Sequence, residues 1–350
     1  MVILETLRRL STRKTVVIPA YTCPLVIFAI VKSRLQLRVC DTCPDSFELD
    51  PEALAKVCDR DTLAIVPTHL GGRVADLNRI IALARQCGAY VIEDAAQALG
   101  ARYQGKSVGL QGDAGFFSLA AGKGLSIFEG GLWIASDAEL RAELRRTSLQ
   151  MIPAHFGWEM LRCLQLAGYV AAYRPFALRY VYGNSLRRAL RRHDSIAATG
   201  DYFSSNIPLH RVSTWRQGVG SRALLRLADF QRDLARQAAR RLPELTQILG
   251  VKILTDPPGG TGTWPIFIAG LPSEKVRDQV LDELWGVGLG VSRMFAYALP
   301  DYEYLRPWGG EQSVPNAKRL AACSMTISNS PWLDDASFER ILAILFRHCR

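Results

Sequence analysis

No cysteine framework, no unbroken membrane-length apolar run and no low-complexity tract organises this 350-residue chain. Its eight cysteines stand at positions 23, 40, 43, 58, 87, 163, 323 and 349. Those spacings suit scattered reduced thiols in a cytoplasm rather than a secreted disulfide scaffold. Cys40 and Cys43 form a close pair, but a tetrahedral zinc site needs four ligands, and neither a second such pair nor a nearby histidine pair supplies the rest. No metal is expected. The opening, Met1 to Leu10, carries Glu5, Arg8 and Arg9 and lacks an apolar stretch followed by a small-residue cleavage site, so it does not read as a signal peptide. The most apolar long segment, Leu161 to Tyr182, is interrupted by Arg162, Arg174, Pro175 and Arg179. That argues against a spanning helix and for a helical hairpin over a core or at an interface, with peripheral membrane contact left open. Two glycine motifs fail on spacing. A P-loop would need glycine at Phe117 and serine or threonine at Gly124, and Gly109-x-x-Gly112-x-x-Gly115 is not the dinucleotide pattern and opens no helix.

Acidic residues are also in deficit, 33 against 43 basic ones, for a net charge of +10. The excess sits in the middle of the chain, in Arg187, Arg188, Arg191 and Arg192 and in the arginines recurring from Arg211 to Arg241. A basic field suits polyanions, whether nucleic acid, an acidic membrane face or a phosphorylated substrate, although arginines three to five apart on helices also make an ordinary solvated face. No nucleic-acid motif accompanies the charge.

What is present is an ordinary globular composition, 49% hydrophobic and 22% charged, in a chain long enough for one large and one smaller domain. Short apolar runs alternate with helical patterns through the first two hundred residues, which predicts βαβ units and a parallel sheet. Strands are expected at 15–19, 35–40, 62–67, 90–93, 114–118 and 132–135. Helices are expected at 24–32, at 50–58 behind an Asp50 cap, and after a cap at Asp76 up to a stop at Gly88. A long amphipathic helix from about Arg222 to Leu249 then leads into a second domain, with strands near 251–254, 264–268 and 288–293 and helices at 273–285 and 334–348. The expected fold class is therefore α/β, with residues 1–221 a large domain containing an insertion-like helical segment at 151–215, and residues 222–350 a small α+β domain.

One constellation carries chemistry. Asp94 closes the apolar run Val91-Ile92-Glu93, and Lys123 follows 29 positions later in Ala120-Ala121-Gly122-Lys123-Gly124, behind Phe116-Phe117-Ser118 and ahead of Glu129-Gly130-Gly131. Ligands in doubly wound sheets bind beyond the carboxyl ends of the strands. A carboxylate there can meet a cationic ring nitrogen, Ala95 and Ala96 leave room for a flat ring, Gln97 can reach a ring substituent, and Ser118 offers a hydroxyl to phosphate. A lysine amine is the nucleophile for an aldehyde. Lysine plus an aspartate for a pyridinium nitrogen is the combination used by pyridoxal phosphate sites. Taken singly, Asp94 could cap a helix, Ser118 could end a strand and Lys123 could be a solvated loop residue.

In order along the chain, Pro19-Ala20-Tyr21-Thr22, Asp50-Pro51-Glu52-Ala53-Leu54, Pro67-Thr68-His69-Leu70-Gly71-Gly72, Ile92-Glu93-Asp94-Ala95-Ala96-Gln97, Gly112-Asp113-Ala114-Gly115-Phe116-Phe117-Ser118 and Glu129-Gly130-Gly131 resemble the successive blocks of the DegT/DnrJ/EryC1/StrS sugar aminotransferases. That family is a branch of the fold-type I pyridoxal phosphate enzymes. The resemblance is strong from about Val16 to Ala135 and scattered beyond. It implies Lys123 as Schiff-base lysine and proton shuttle, Asp94 as pyridinium partner, Ala96 and Gln97 as ring contacts and Ser118 as a phosphate ligand. It further implies pyridoxal 5'-phosphate as cofactor, a cytoplasmic homodimer, and transfer of an amino group from an amino acid such as glutamate to a nucleotide-linked keto sugar, in polysaccharide or secondary-metabolite sugar synthesis. The related sugar dehydratases carry histidine where Lys123 stands, and a non-catalytic homologue that binds a sugar nucleotide or a partner is the alternative of a different class. Three departures accompany the resemblance. The family's first strand and its Ser-Gly-Thr-like phosphate turn would precede Met1, with Met1 to Leu10 similar to the tail of the following helix. The usual Ser-Phe-aromatic-Pro-Thr-Lys loop reads Ser118-Leu119-Ala120-Ala121-Gly122-Lys123. Cys23 stands where an aromatic residue often stacks on the ring, and no Asn-Tyr-Arg block is evident near Gly218 to Ser221.

Overall fold

The computed structural model describes residues 1–309 and 312–349. The chain runs through α1 (Val2–Leu10), β1 (Thr15–Pro19), α2 (Leu25–Lys32), β2 (Gln36–Cys40), α3 (Pro51–Val57), β3 (Thr62–Ile65), α4 (Asn78–Cys87) and β4 (Tyr90–Asp94). A short hairpin, β5 (Arg102–Tyr103) and β6 (Lys106–Ser107), leads to β7 (Ala114–Ser118) and β8 (Gly131–Ala135). These strands form a six-stranded sheet of order β2-β1-β3-β4-β7-β8, parallel except where β8 runs back along β7. A parallel sheet must be covered on both faces, and the alternation of side chains along β1 shows how. Val16 and Ile18 face α1, α2 and α5 (Ala138–Met151), among Leu7, Ile27, Ile30 and Leu144, while Val17 faces α3 and α4, among Leu54, Ile80 and Ala84.

Local signals end the helices as the residues dictate. Asp50 accepts from the amides of Glu52 and Ala53 at the start of α3, and Gly88 takes φ +67° after α4, the left-handed conformation that closes a helix. Asp76 does not cap α4. The N-cap position falls on Leu77, and the Asp76 carboxylate instead accepts from the Asn78 amide in a local turn.

After α5 come α6 (Phe156–Ala172), α7 (Pro175–Arg191), the short α8 (Ser195–Thr199) and α9 (Thr214–Thr246). The long helix thus begins at Thr214, with a Ser213 hydroxyl capping the Arg216 amide, rather than near Arg222. The remainder comprises β9 (Lys252–Ile253), β10 (Gly260–Thr261), β11 (Ile266–Gly270), α10 (Glu274–Leu284), β12 (Val291–Ser292), α11 (Arg306–Gly309), α12 (Pro315–Cys323), β13 (Ser324–Ser328) and α13 (Asp335–His348). Strands β12-β13-β11-β9 make an antiparallel sheet, and α9, α10 and α13 cover it through Leu245, Val280, Leu284, Ile341 and Leu345. One of its two inner strands, β13, is a strand the apolar pattern does not announce. Strand pairing and a shared apolar cluster are among the contacts that join this part to the first half of the chain. β10 pairs with β5, and a shared cluster sets Tyr21 and Leu70 against Ile268, Phe295 and Leu320.

Candidate active site

Asp94 ends β4 at the carboxyl edge of the large sheet, and its backbone is fastened on both sides. Its amide donates to the Pro67 carbonyl at 2.9 Å, and its carbonyl accepts from the His69 amide at 2.8 Å. The carboxylate is 3% exposed and accepts one hydrogen bond, from the Ala96 amide at 3.0 Å. Residues 95–100 form turns rather than a helix, so Asp94 caps nothing. Burial raises its pKa, against the opposing pull of the Ala96 amide and the Lys123 charge.

Lys123 lies on the loop between β7 and β8. The loop is folded onto itself, with the Lys123 amide donating to Ala120 at 3.3 Å, the Ala121 amide to Phe128 at 2.9 Å and the Ile127 amide to Leu119 at 3.0 Å. Leu119, Leu125 and Ile127 anchor it in a small core with Leu166 of α6 and Leu227 of α9. The Gly122 amide donates to the Tyr169 hydroxyl of α6 at 3.2 Å. The charges of Asp94 and Lys123 both reach Cys23, whose thiol is pushed up to about 12 chiefly by burial.

The other expected residues lie at the ends of the neighbouring strands β4 and β7 and in the turns that follow them. The Gln97 carboxamide oxygen accepts from the Gly71 amide at 2.8 Å, tying the turn after β4 to the turn after β3. Ser118 ends β7, and its hydroxyl accepts from the Ala120 amide at 3.3 Å. Ala96, half-buried, supplies the amide that holds Asp94.

Several residues that spacing did not single out support these strand ends and turns. Glu93 is fully buried and accepts four hydrogen bonds, from the amides of Gly109, Gln111 and Gly112 at 2.6, 2.6 and 2.8 Å and from His69 Nε2 at 2.9 Å. His69 Nδ1 in turn accepts from the Ala75 amide at 3.0 Å, which fixes the tautomer. An acid inside an apolar strand was the available signal, since a buried carboxylate must find donors. Asp201, beyond α8, is 4% exposed and accepts from the Ala296 amide and the Tyr302 hydroxyl, both at 2.6 Å. Burial raises its pKa, and its charge is felt at Cys23.

The segment 151–215 also braces the lysine loop. Arg216 at the start of α9 is fully buried and donates to the carbonyls of Ile127 and Glu129. Glu159 of α6 receives Arg216 Nε at 2.6 Å and Nη2 at 2.5 Å, and the Ser213 amide at 2.9 Å. Those donors hold the Glu159 carboxyl down at about 2. Between the two halves of the chain, Arg73 pairs with Asp256 at 2.8 Å and lies 3.3 Å over the Trp264 ring, and burial lowers its pKa to about 10. A separate cleft of about 510 Å³, bounded by Asp45–Glu48 and Val251–Pro257, includes none of Asp94, Gln97, Ser118 or Lys123. The buried charges, not that cleft, point to the candidate site.

A family model described as the DegT/DnrJ/EryC1/StrS aminotransferase family matches residues 2–346. Among curated proteins, the chain is 34% identical over 300 residues to dTDP-3-amino-3,4,6-trideoxy-alpha-D-glucose transaminase of Streptomyces venezuelae, covering 84% of this chain and 65% of that one. It is 40% identical over 105 residues to GDP-perosamine synthase of Caulobacter vibrioides, covering 30% of this chain and 28% of that one. The matches to three similar curated relatives span 26%, 35% and 28% of their lengths. Among solved structures, sugar aminotransferase CalS13 of Micromonospora echinospora superposes with a TM-score of 0.73 at 22% identity, over 99% of this chain and 84% of that one. That likeness shows the shared fold.

Proposed function

Because the chain belongs to the DegT/DnrJ/EryC1/StrS aminotransferase family, we propose that it is a pyridoxal phosphate aminotransferase. In this reading it moves an amino group from an amino acid, glutamate foremost, to a nucleotide-linked keto sugar. It works as a cytoplasmic homodimer and serves polysaccharide or secondary-metabolite sugar synthesis. The names of the dTDP-sugar and GDP-sugar relatives support that substrate class.

The carrying observation is Asp94. A carboxylate 3% exposed, with a raised pKa, one amide donor and no cation within ion-pair distance among the described residues, is a group waiting for a positive partner. A protonated pyridine nitrogen is such a partner, so the residues present fit the cofactor. When bound, pyridoxal phosphate supplies an electron sink for the bonds at the amino carbon. In this assignment Asp94 keeps the ring nitrogen protonated, Ala96 and Gln97 border the ring, and Ser118 binds at the phosphate end. Lys123 provides the amine that holds the cofactor and then carries protons on Nζ. Arg216, through the carbonyls of Ile127 and Glu129, braces the loop that carries Lys123.

The test is spectroscopic and chemical. Purified protein given cofactor should gain a visible absorbance band that glutamate discharges, and Lys123→Ala should lose both the band and transamination. No band with added cofactor, or a band and turnover unchanged in Lys123→Ala, would falsify the assignment.

A further inference from the structure

Helix α6 carries its charges inward and its apolar side chains outward. Its two charged residues, Glu159 and Arg162, meet Arg216 and Glu129 beneath the helix. On the outer side Phe156, Met160, Leu164, Ala167 and Ala171 recur at helical spacing and are all exposed, Phe156 at 79% and Leu164 at 65%. The exposed apolar set continues on α7 with Phe176, at 75%, and Val181, at 63%, beside the half-wet Tyr180 and Tyr182. A helix facing water has the reverse arrangement, and large apolar side chains left exposed in this number mark a docking surface.

Charge says what docks. From Phe156 to Arg191 the chain has six arginines and one acid, and that acid, Glu159, is already bound beneath α6. Arg179, Arg188, Arg191 and the adjacent Arg192 are exposed, and among the described residues no carboxylate lies within ion-pair distance of them. We propose that the outer face of α6 and α7 seats on an anionic lipid bilayer, with the apolar stripe at the acyl boundary and the arginines on acidic headgroups. No described helix is long and apolar enough to cross a membrane, so the element lies along the surface. A second copy docked through the same face would bring two arginine sets together with no acids to receive them. A nucleic acid would leave Met160, Leu164 and Val181 without an apolar partner. Since Tyr169 on the inner side of α6 holds the Gly122 amide, docking would bring the lysine loop close to the bilayer.

The full chain, sedimented with vesicles of phosphatidylcholine mixed with phosphatidylglycerol, should partition onto them. It should bind far less to phosphatidylcholine alone and lose the bound fraction as salt is raised. Leu164→Glu and, independently, Phe176→Glu should each weaken partitioning by about tenfold or more, and Arg188→Ala by about fivefold. Circular dichroism and solution mass should stay unchanged in all three, since the side chains are exposed. The proposal is overturned by absence of partitioning, by partitioning that survives both glutamate substitutions, by a fall in solution mass in Leu164→Glu, which would assign the face to a second copy, or by an oligonucleotide that binds through the same residues.

Discussion

Glu159→Gln isolates the brace between α6 and the lysine loop without changing side-chain size. Glu159 receives three donors, two from Arg216 and one from the Ser213 amide, and Arg216 has no exposure through which water could replace them. In the variant the guanidinium keeps the Ile127 and Glu129 carbonyls but loses its counter-charge, and removing one partner of a buried pair typically costs about 3 to 5 kcal/mol. The titration gives a second route. The carboxyl sits at about 2 in place of 4.5, and at about 1.4 kcal/mol per tenfold the difference is worth about 3 kcal/mol. For a chain of this length that corresponds to a fall of about 4 °C in the unfolding midpoint. The sign with pH follows from a depressed folded pKa. The contribution is fully present above the ordinary glutamate value and is lost as pH falls from 4.5 to about 2. Other acids titrate in both proteins, so the difference between them reports Glu159. His210, 3.6 Å from the same carboxylate, has its own pKa lowered by burial and adds little charge near neutrality. Urea unfolding followed by tryptophan fluorescence, at about pH 7 and in steps to about pH 3, should show the gap between wild type and variant shrinking with acid. A gap below about 1 kcal/mol at neutral pH, or one that ignores pH, would refute the reasoning.

Asp94→Asn should separate stability from cofactor retention. The folded carboxyl titrates above its ordinary 3.8, so ionising it costs stability as pH rises through that window, and the asparagine protein without cofactor should melt higher at neutral pH. The same change should weaken cofactor binding by about tenfold or more, measured by dialysis, because a charge-assisted hydrogen bond to the ring is lost. Two glycines with nearly equal φ give a controlled pair. An added Cβ at Gly72, φ +78°, would come within 2.5 Å of Pro265 and 2.6 Å of Thr263, whereas at Gly122, φ +80°, it would meet nothing within 4 Å. Gly72→Ala should therefore cost about 3 kcal/mol or more and Gly122→Ala about 1 kcal/mol, read by chemical denaturation, and equal losses would contradict the close approach.

Periodicity located most of the large sheet because its strands are nearly continuous apolar runs bounded by turns. β1 falls on 15–19 and β7 on 114–118 in both readings. It failed at β13, Ser-Met-Thr-Ile-Ser, whose alternation is too short and too polar to stand out and which is buried only because β11 and β12 pair on either side of it. It also failed at the start of α9, where Gly218 and Gly220 weaken the helical pattern and a buried Arg216 outweighs them.

The candidate site divides in the same way. Sequence alone determined the chemistry on offer, a carboxylate closing an apolar strand and a lysine in a small-residue loop, because residue type and strand ends are local properties. Only the tertiary structure decided that Glu93 and His69 form the underpinning, and that the illegible segment 151–215 sends Glu159 beneath the lysine loop and Asp201 to the Ala296 amide and the Tyr302 hydroxyl. Those partners lie up to about a hundred positions apart, and no spacing rule encodes which distant donor a buried carboxylate will find. Packing chooses it, because a charge taken out of water must be matched wherever the fold leaves a partner.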